Sequence, residues 1–277
     1  MDHVSCPVRV DLSAGWPDSD PYRRQFGGAV LNAAIDLRVS ARLQGSNLIT
    51  SLGDVPPNSG LGTSGALRAA YLAASNPDLL ADKDDLIRRV HVFENEVIGH
   101  RAGFQDQGAA IHGGVNLWEF GTDGKITRRS VEPGRWSVLE KHMVIIYTGQ
   151  VHLSANIHDL VFAEDKYKKN IALLDRIKKI SYQMVESIDD LHTLSALMDQ
   201  TWSLQKSLHP AIETQTMRML QKECAGKYLS CRVTGAGGGG CMIFLTENRA
   251  ALIRDIRKMG FRVIDAGIDT QGIRKEC

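Results

Sequence analysis

The sequence carries no surplus of either charge: 33 Lys and Arg stand against 32 Asp and Glu, for a formal net charge of +1. The basic excess of a nucleic-acid-binding chain is absent, as is an acidic tail. Long apolar runs are absent too. Stretches such as Met143–Tyr147 and Cys241–Leu245 are among the longest, well short of the ~20 residues a membrane helix needs. Residues 1–20 include Asp2, Arg9, Asp11, Asp18 and Asp20, so no signal-peptide apolar core fits there. Cysteine is scarce and odd in number (Cys6, Cys224, Cys231, Cys241, Cys277), with no C-x-x-C pair. Reduced thiols in a cytoplasmic protein are the simplest expectation. The nine histidines, among them His91, His100 and His112, show no metal-ligand spacing such as H-E-x-x-H. There is no internal repeat. What remains is an ordinary globular composition over 277 residues, enough for about two domains or one with two lobes.

Glycine, by contrast, is concentrated: Gly27-Gly28, Gly60–Gly65, Gly113-Gly114 and Gly235–Gly240. Around these clusters Val8–Leu12 and Val30–Val39 read as strands, and the Ala- and Leu-rich Ser64–Ser75 reads as a buried helix. Asp82 can cap a helix over 82–98, with Leu86, Val90, Phe93 and Val97 on its apolar stripe. Strands return at Val115–Phe120 and His142–Tyr147, and a long amphipathic helix spans Glu164–Ile188. Helices near 190–208 and 211–225 lead to strand Tyr228–Thr234, strand Cys241–Thr246, helix Ala250–Met259 and strand Arg262–Ala266. Strands and helices mix without regular β-α alternation. The expectation is an α+β protein with two lobes, residues 1–150 and 151–277, meeting near 145–165.

Two loops and two acids carry the chemistry. Pro57–Ala66 (PNSGLGTSGA) runs into a helix start. Converging backbone N–H groups and a helix N-terminus make such a loop suited to phosphate. It lacks the G-x-x-x-x-G-K-[ST] pattern of an ordinary P-loop, and a plain glycine turn capped by Thr63 or Ser64 would look the same. Thr234–Gly240 formally contains G-x-G-x-x-G, but Cys241–Leu245 after it is a strand. A dinucleotide fingerprint needs a helix there, so that reading fails. Glu94 lies on the apolar stripe of the 82–98 helix, where a carboxylate is costly unless it meets a cation or metal. Asp106, in Gly103–Gly108 (GFQDQG), is either a general base or a cap of the following helix.

Three motifs then occur in a fixed order. Pro7–Asp18 (PVRVDLSAGWPD) resembles the first motif of the GHMP kinase family, the 57–66 loop resembles its phosphate-binding second motif, and Val233–Cys241 its third. Gln105-Asp106-Gln107 matches the family's catalytic aspartate segment. Gly15-Trp16-Pro17-Asp18, Pro21-Tyr22 and Phe26–Asn32 resemble the fucokinase and heptose-phosphate kinase branch. The resemblance spans essentially the whole chain. It implies a two-lobed α+β fold, with an N-terminal lobe like ribosomal protein S5 domain 2 and a ferredoxin-like C-terminal lobe. It also implies ATP- and Mg²⁺-dependent phosphorylation of the anomeric hydroxyl of a sugar or sugar phosphate.

Carried over residue by residue, the resemblance makes Asp106 the catalytic aspartate and Arg9 the cation beside it. Pro57, Ser59, Gly60, Leu61, Gly62, Thr63, Ser64 and Gly65 would cradle the nucleotide phosphates, and Ser64 and Glu94 would hold Mg²⁺. Asp18, Gly27, Gly28 and Gly237–Gly239 would serve the acceptor. The implied partners are small molecules, not nucleic acid or membrane, with the chain a monomer or homodimer. The alternatives are a kinase of a non-sugar alcohol, or a sugar-binding or regulatory homologue with a reduced nucleotide site. Thr63 and Gly65 replace Ser and Ala of the second motif. Only 17 residues separate Val39 from Pro57, so the wall expected to enclose the nucleotide base is short.

Overall fold

A computed structural model describes residues 3–99, 102–150 and 154–276. His100, Cys277 and part of the expected lobe boundary (151–153) lie outside the described residues. Two antiparallel sheets organise the chain. The first combines β1 (His3–Asp11), β2 (Gly28–Gln44), β3 (Asn47–Ser51), β4 (Val115–Phe120) and β5 (Ile126–Ser130) with a strand from the far end of the chain, Arg274–Glu276. That last strand pairs with β1, β1 with β2, β2 with β4 and β4 with β5, while β3 folds back on the end of β2. The second sheet holds β6 (Met143–Tyr147), β7 (Ser230–Val233), β8 (Cys241–Leu245) and β9 (Arg262–Ile264), in the order β7-β8-β6-β9. Both sheets thus draw on chain from either side of residue 150.

Residues 28–35 of β2 are all buried, without the alternation of a half-wet strand, so both faces of the first sheet are covered there. The helices in order are α1 (Tyr22–Phe26), α2 (Thr63–Ser75), α3 (Lys83–Val92), α4 (Gln105–His112), α5 (Ser137–His142), α6 (Ser154–Phe162), α7 (Glu164–Glu186), α8 (Leu191–Leu208), α9 (Gln215–Glu223) and α10 (Arg249–Lys258). Helix α2 buries Ala66, Ala69, Ala70, Ala73 and Ala74. That small-residue stripe lets it lie close on β1, β2 and α4. Helix α7 packs on β2, β4 and α8.

The expected elements are present, with differences in extent and some additions. The helix read as 82–98 is α3 followed by a π-helical turn over Phe93–Val97. Helices α1, α5 and α6, strand β5 and the final strand are additions to the elements expected from the sequence. The expected short segment after Val39 continues β2 to Gln44 and returns as β3, a bare hairpin. Asp82 caps α3 as expected, accepting from the backbone of Asp84 and Asp85. Cys6, Cys224, Cys231 and Cys241 are buried free thiols. Among the described residues no helix is long and apolar enough to cross a membrane.

Candidate active site

Strand β1 sets the site. Arg9 is 4% exposed, and its Nε and Nη2 lie 2.8 and 2.7 Å from Asp106 Oδ1. Its Nη1 donates to the Gly60 carbonyl at 2.6 Å, so one guanidinium joins the 57–66 loop to the start of α4. Burial works against the charged guanidinium, but the carboxylates of Asp106, Asp11 and Asp18 outweigh it and raise the Arg9 pKa.

Asp106 is the second residue of α4 and does not cap it. The capping is done from the first motif: Asp18 Oδ2 accepts from the backbone N–H groups of Phe104 and Gln105, both at 3.1 Å. Asp106 therefore keeps its carboxylate for Arg9 and the cleft. Gly65 lets it come close, because a Cβ at position 65 would stand 2.9 Å from Asp106 Cβ. Below the helix start, Asn32 Nδ2 donates to the Gln105 carbonyl at 3.0 Å, and Trp118 Nε1 donates to Asn32 Oδ1 at 3.1 Å. This buried chain fixes residues 104–106 from the sheet side.

The loop before α2 is held by Gly60, whose φ of 72° and close approach to the Thr234 carbonyl (2.6 Å from a Cβ there) exclude other residues. Gly62 is the N-cap of α2 and no side chain caps the helix. The turn capped by Thr63 or Ser64 is thus ruled out. The first N–H groups of α2 have no side-chain cap, and Ser59 Oγ and Thr63 Oγ1 are buried without partners. Convergent donors of this kind fit a phosphate.

Ser64 Oγ instead donates to Glu94 Oε1 at 2.8 Å. Glu94 is 2% exposed, and burial pushes its pKa up to about 7 against the hydrogen bond from Ser64 and the charge of Arg68. The π-helical turn aims it inward: Ile98 N–H reaches back five residues to Phe93 O, widening the helix at Glu94. Asn95 braces the turn by donating to the carbonyls of His91 and Ala102 and accepting from Ala102 N. A buried carboxylate beside a hydroxyl fits a divalent cation that takes its other ligands from phosphate and water. Among the described residues no group of three His, Cys, Asp or Glu could hold a metal by itself.

The third glycine loop is clamped by Asp11, fully buried at the end of β1. Its carboxylate accepts from Thr234 Oγ1 (2.7 Å), Gly235 N (2.8 Å), Gly15 N (2.9 Å) and the buried Arg232 Nη2 (3.2 Å). Burial opposes ionisation, but Arg232, Arg9 and these hydrogen bonds hold the Asp11 pKa below the usual range.

These parts surround one cleft of about 380 Å³, within the size range of small-ligand sites. Arg9, Asp18, Pro57, Ser59, Gly60, Gly62, Thr63, Ser64, Glu94 and Asp106 line it. Leu61 is buried behind the loop. Gly237 and Gly238, expected near the acceptor, abut Ile212 and Ile157 instead, and Gly235 and Ala236 face the cleft. Gly239 is likewise outside the lining, and so are Gly27 and Gly28, which lie against Phe120 and Pro17. Trp16, Gln105 and His158 line the Asp18 side. The last comes from α6, which brings a residue of the second half of the chain to the site. Asn32, Asn95, Arg68 and the Asp11–Arg232 pair were not singled out from the sequence. The one available signal was a polar residue inside an apolar strand, as at Asn32 and Arg232.

Residues 29–114 match the GHMP kinases N terminal domain and residues 184–264 the GHMP kinases C terminal domain. A D-glycero-alpha-D-manno-heptose 7-phosphate kinase of Campylobacter jejuni is 26% identical over 80% of this chain and 68% of its own length. The bifunctional fucokinase/GDP-fucose pyrophosphorylase of Arabidopsis thaliana is 25% identical over 88% of this chain, which spans only 30% of that protein. The crystal structure of a D-glycero-D-manno-heptose 1-phosphate kinase from Bacteroides thetaiotaomicron shares the fold, with a TM-score of 0.79 at 18% identity over 100% of this chain and 99% of that one. With both family domains in order around this cleft, the chain belongs to the GHMP kinase family of ATP-using phosphotransferases that act on an alcohol group.

Proposed function

We propose that the protein transfers the γ-phosphoryl group of ATP to the anomeric hydroxyl of a sugar or sugar phosphate, giving a sugar 1-phosphate. The observation that carries this is the Arg9–Asp106 pair at 2.7 Å, set between the uncapped loop before α2 and the Asp18 side of the cleft. The names of the heptose-phosphate kinase and fucokinase relatives support the acceptor class.

In this reading the N–H groups of the loop and the α2 N-terminus hold the phosphates, with the hydroxyls of Ser59 and Thr63 beside them. Ser64 and Glu94 would hold Mg²⁺, which neutralises phosphate charge when bound. Asp18 and Gln105 orient the acceptor. Asp106 takes the proton of the acceptor hydroxyl as its oxygen forms a bond to the γ-phosphorus and the bond to the ADP oxygen breaks. Arg9 holds Asp106 in place and stabilises charge on the moving phosphoryl group.

The test is an ADP-release screen over free sugars and sugar phosphates, with phosphorus NMR of the product. A phosphorus resonance coupled to the anomeric proton is expected. Phosphate on a primary hydroxyl, or turnover only with non-sugar alcohols, would replace this reading.

A further inference from the structure

The Ser64–Glu94 pair already has a cation beside it. Arg68 follows Ser64 by one turn of α2, so both project from the same side of the helix. Its Nη1 lies 2.5 Å from Ser64 Oγ and 3.1 Å from the Ser64 carbonyl, and its Nε is 3.6 Å from Glu94 Oε1. The Nε is buried with no hydrogen-bond partner. A guanidinium this placed faces the same two oxygens that the proposed function gives to a divalent ion. A divalent ion held by those oxygens would compete with the guanidinium for them. The two cations would also repel each other.

We propose that Arg68 is the resident counter-ion of the metal-ligand pair, neutralising Glu94 when no divalent ion is bound and withdrawing before one enters. The inference rests on the reading of Ser64 and Glu94 as metal ligands. Withdrawal is sterically open: Ser64 is exposed, and the Arg68 side chain is 20% exposed, at the rim rather than in the core. Its long stem can swing the head into water while staying packed on the helix. Arg68 thereby sets the concentration at which the protein takes up a divalent cation. Its removal makes uptake easier, unlike the loss of a ligand.

The test titrates Mn²⁺ alone into the full chain and follows loss of the free-ion electron paramagnetic resonance signal, with no nucleotide or turnover. Arg68→Met is expected to tighten Mn²⁺ binding by up to about fivefold, the scale of a lost partly exposed ion pair. Arg68→Lys, which keeps the charge, should stay near the parent value. Adding Glu94→Gln to Arg68→Met should abolish the gain. Circular dichroism melts confirm that each variant is folded. Unchanged or weaker Mn²⁺ binding in Arg68→Met, with binding still lost in Glu94→Gln, overturns the role of Arg68 and leaves the metal reading intact. A gain that persists in the double variant places the ion elsewhere and overturns both.

Discussion

Asp18 Oδ2 accepts hydrogen bonds from the backbone N–H groups of Phe104 and Gln105, at 3.1 Å each, so an acid of the first motif caps the helix that carries Asp106. One buried carboxylate thus ties the first motif to the start of the helix that carries Asp106. It spares Asp106 the capping role that its position at the second residue of α4 would otherwise invite.

Asp106→Asn separates chemistry from binding. The amide keeps the volume, so the loop before α2 is undisturbed, but it cannot accept the acceptor proton. The expected result is a fall in kcat of ~100-fold or more with ATP affinity nearly unchanged. Stopped turnover with parallel calorimetry of nucleotide binding checks both halves. Near-parental kcat would remove Asp106 from the reaction.

Asp18 also carries a pH signature. Burial, reinforced by the Asp106 charge, pushes its carboxyl up to about 7 from an ordinary 3.8, against the hydrogen bonds from Gln105 and Ser19 and the charge of Arg9. Between those values the folded protein keeps a proton that the unfolded chain has lost, so stability falls as pH rises. The stabilising proton is fully present below about pH 4 and gone once the pH passes 7. Asp18→Asn cannot ionise. Its melting temperature should therefore gain on the parent protein by about 3 °C or more between pH 5 and pH 8. Parallel melting profiles across that window would show that the group does not titrate there.

Much of this arrangement was legible because its signals are local. Gly60 and Gly62 sit a fixed distance from Ser64, and Glu94 interrupts an apolar stripe. What was not legible depends on partners far along the chain. Arg232, flanked by Cys231 and Val233, is fully buried because Asp11, distant in sequence, accepts from it. The π-helical turn is braced from Ala102, which no helical periodicity reveals. Arg274–Glu276 is too short and too charged to read as a strand, and forms one only because β1 offers an edge. That Asp106 does not cap α4 depends on Asp18, which lies far away in the first motif.

The Asp11–Arg232 pair should be costly to break and cheaper to replace. Asp11→Asn leaves a fully buried guanidinium without its carboxylate, at an expected cost of ~3–5 kcal/mol. Arg232→Met in the same chain removes the orphaned charge, and the double variant should recover part of the loss. Urea denaturation followed by tryptophan fluorescence measures both. Additive losses in the double variant would mean that the pair is not coupled.

The last expectation concerns the nucleotide base. In the proposed function the backbone N–H groups before α2 meet phosphate and are blind to the base, so selectivity must come from whatever lies beyond the loop. There the cleft is lined by Leu52, Pro57, Asn58 and Leu67. The chain between β2 and the loop supplies only the β2–β3 hairpin and a turn. Three of these four side chains offer apolar contact alone, worth ~1–3 kcal/mol of discrimination at most. The fourth, Asn58, carries an amide that both donates and accepts, so it can pair with the edge of adenine or of guanine. GTP should therefore replace ATP with kcat/KM within about tenfold, a difference of ~1.4 kcal/mol. Side-by-side kinetics with the two nucleotides at fixed acceptor decide it. A preference for ATP of several hundredfold would require base-edge hydrogen bonds from residues other than these four, and Asn58→Leu would then leave that preference unchanged.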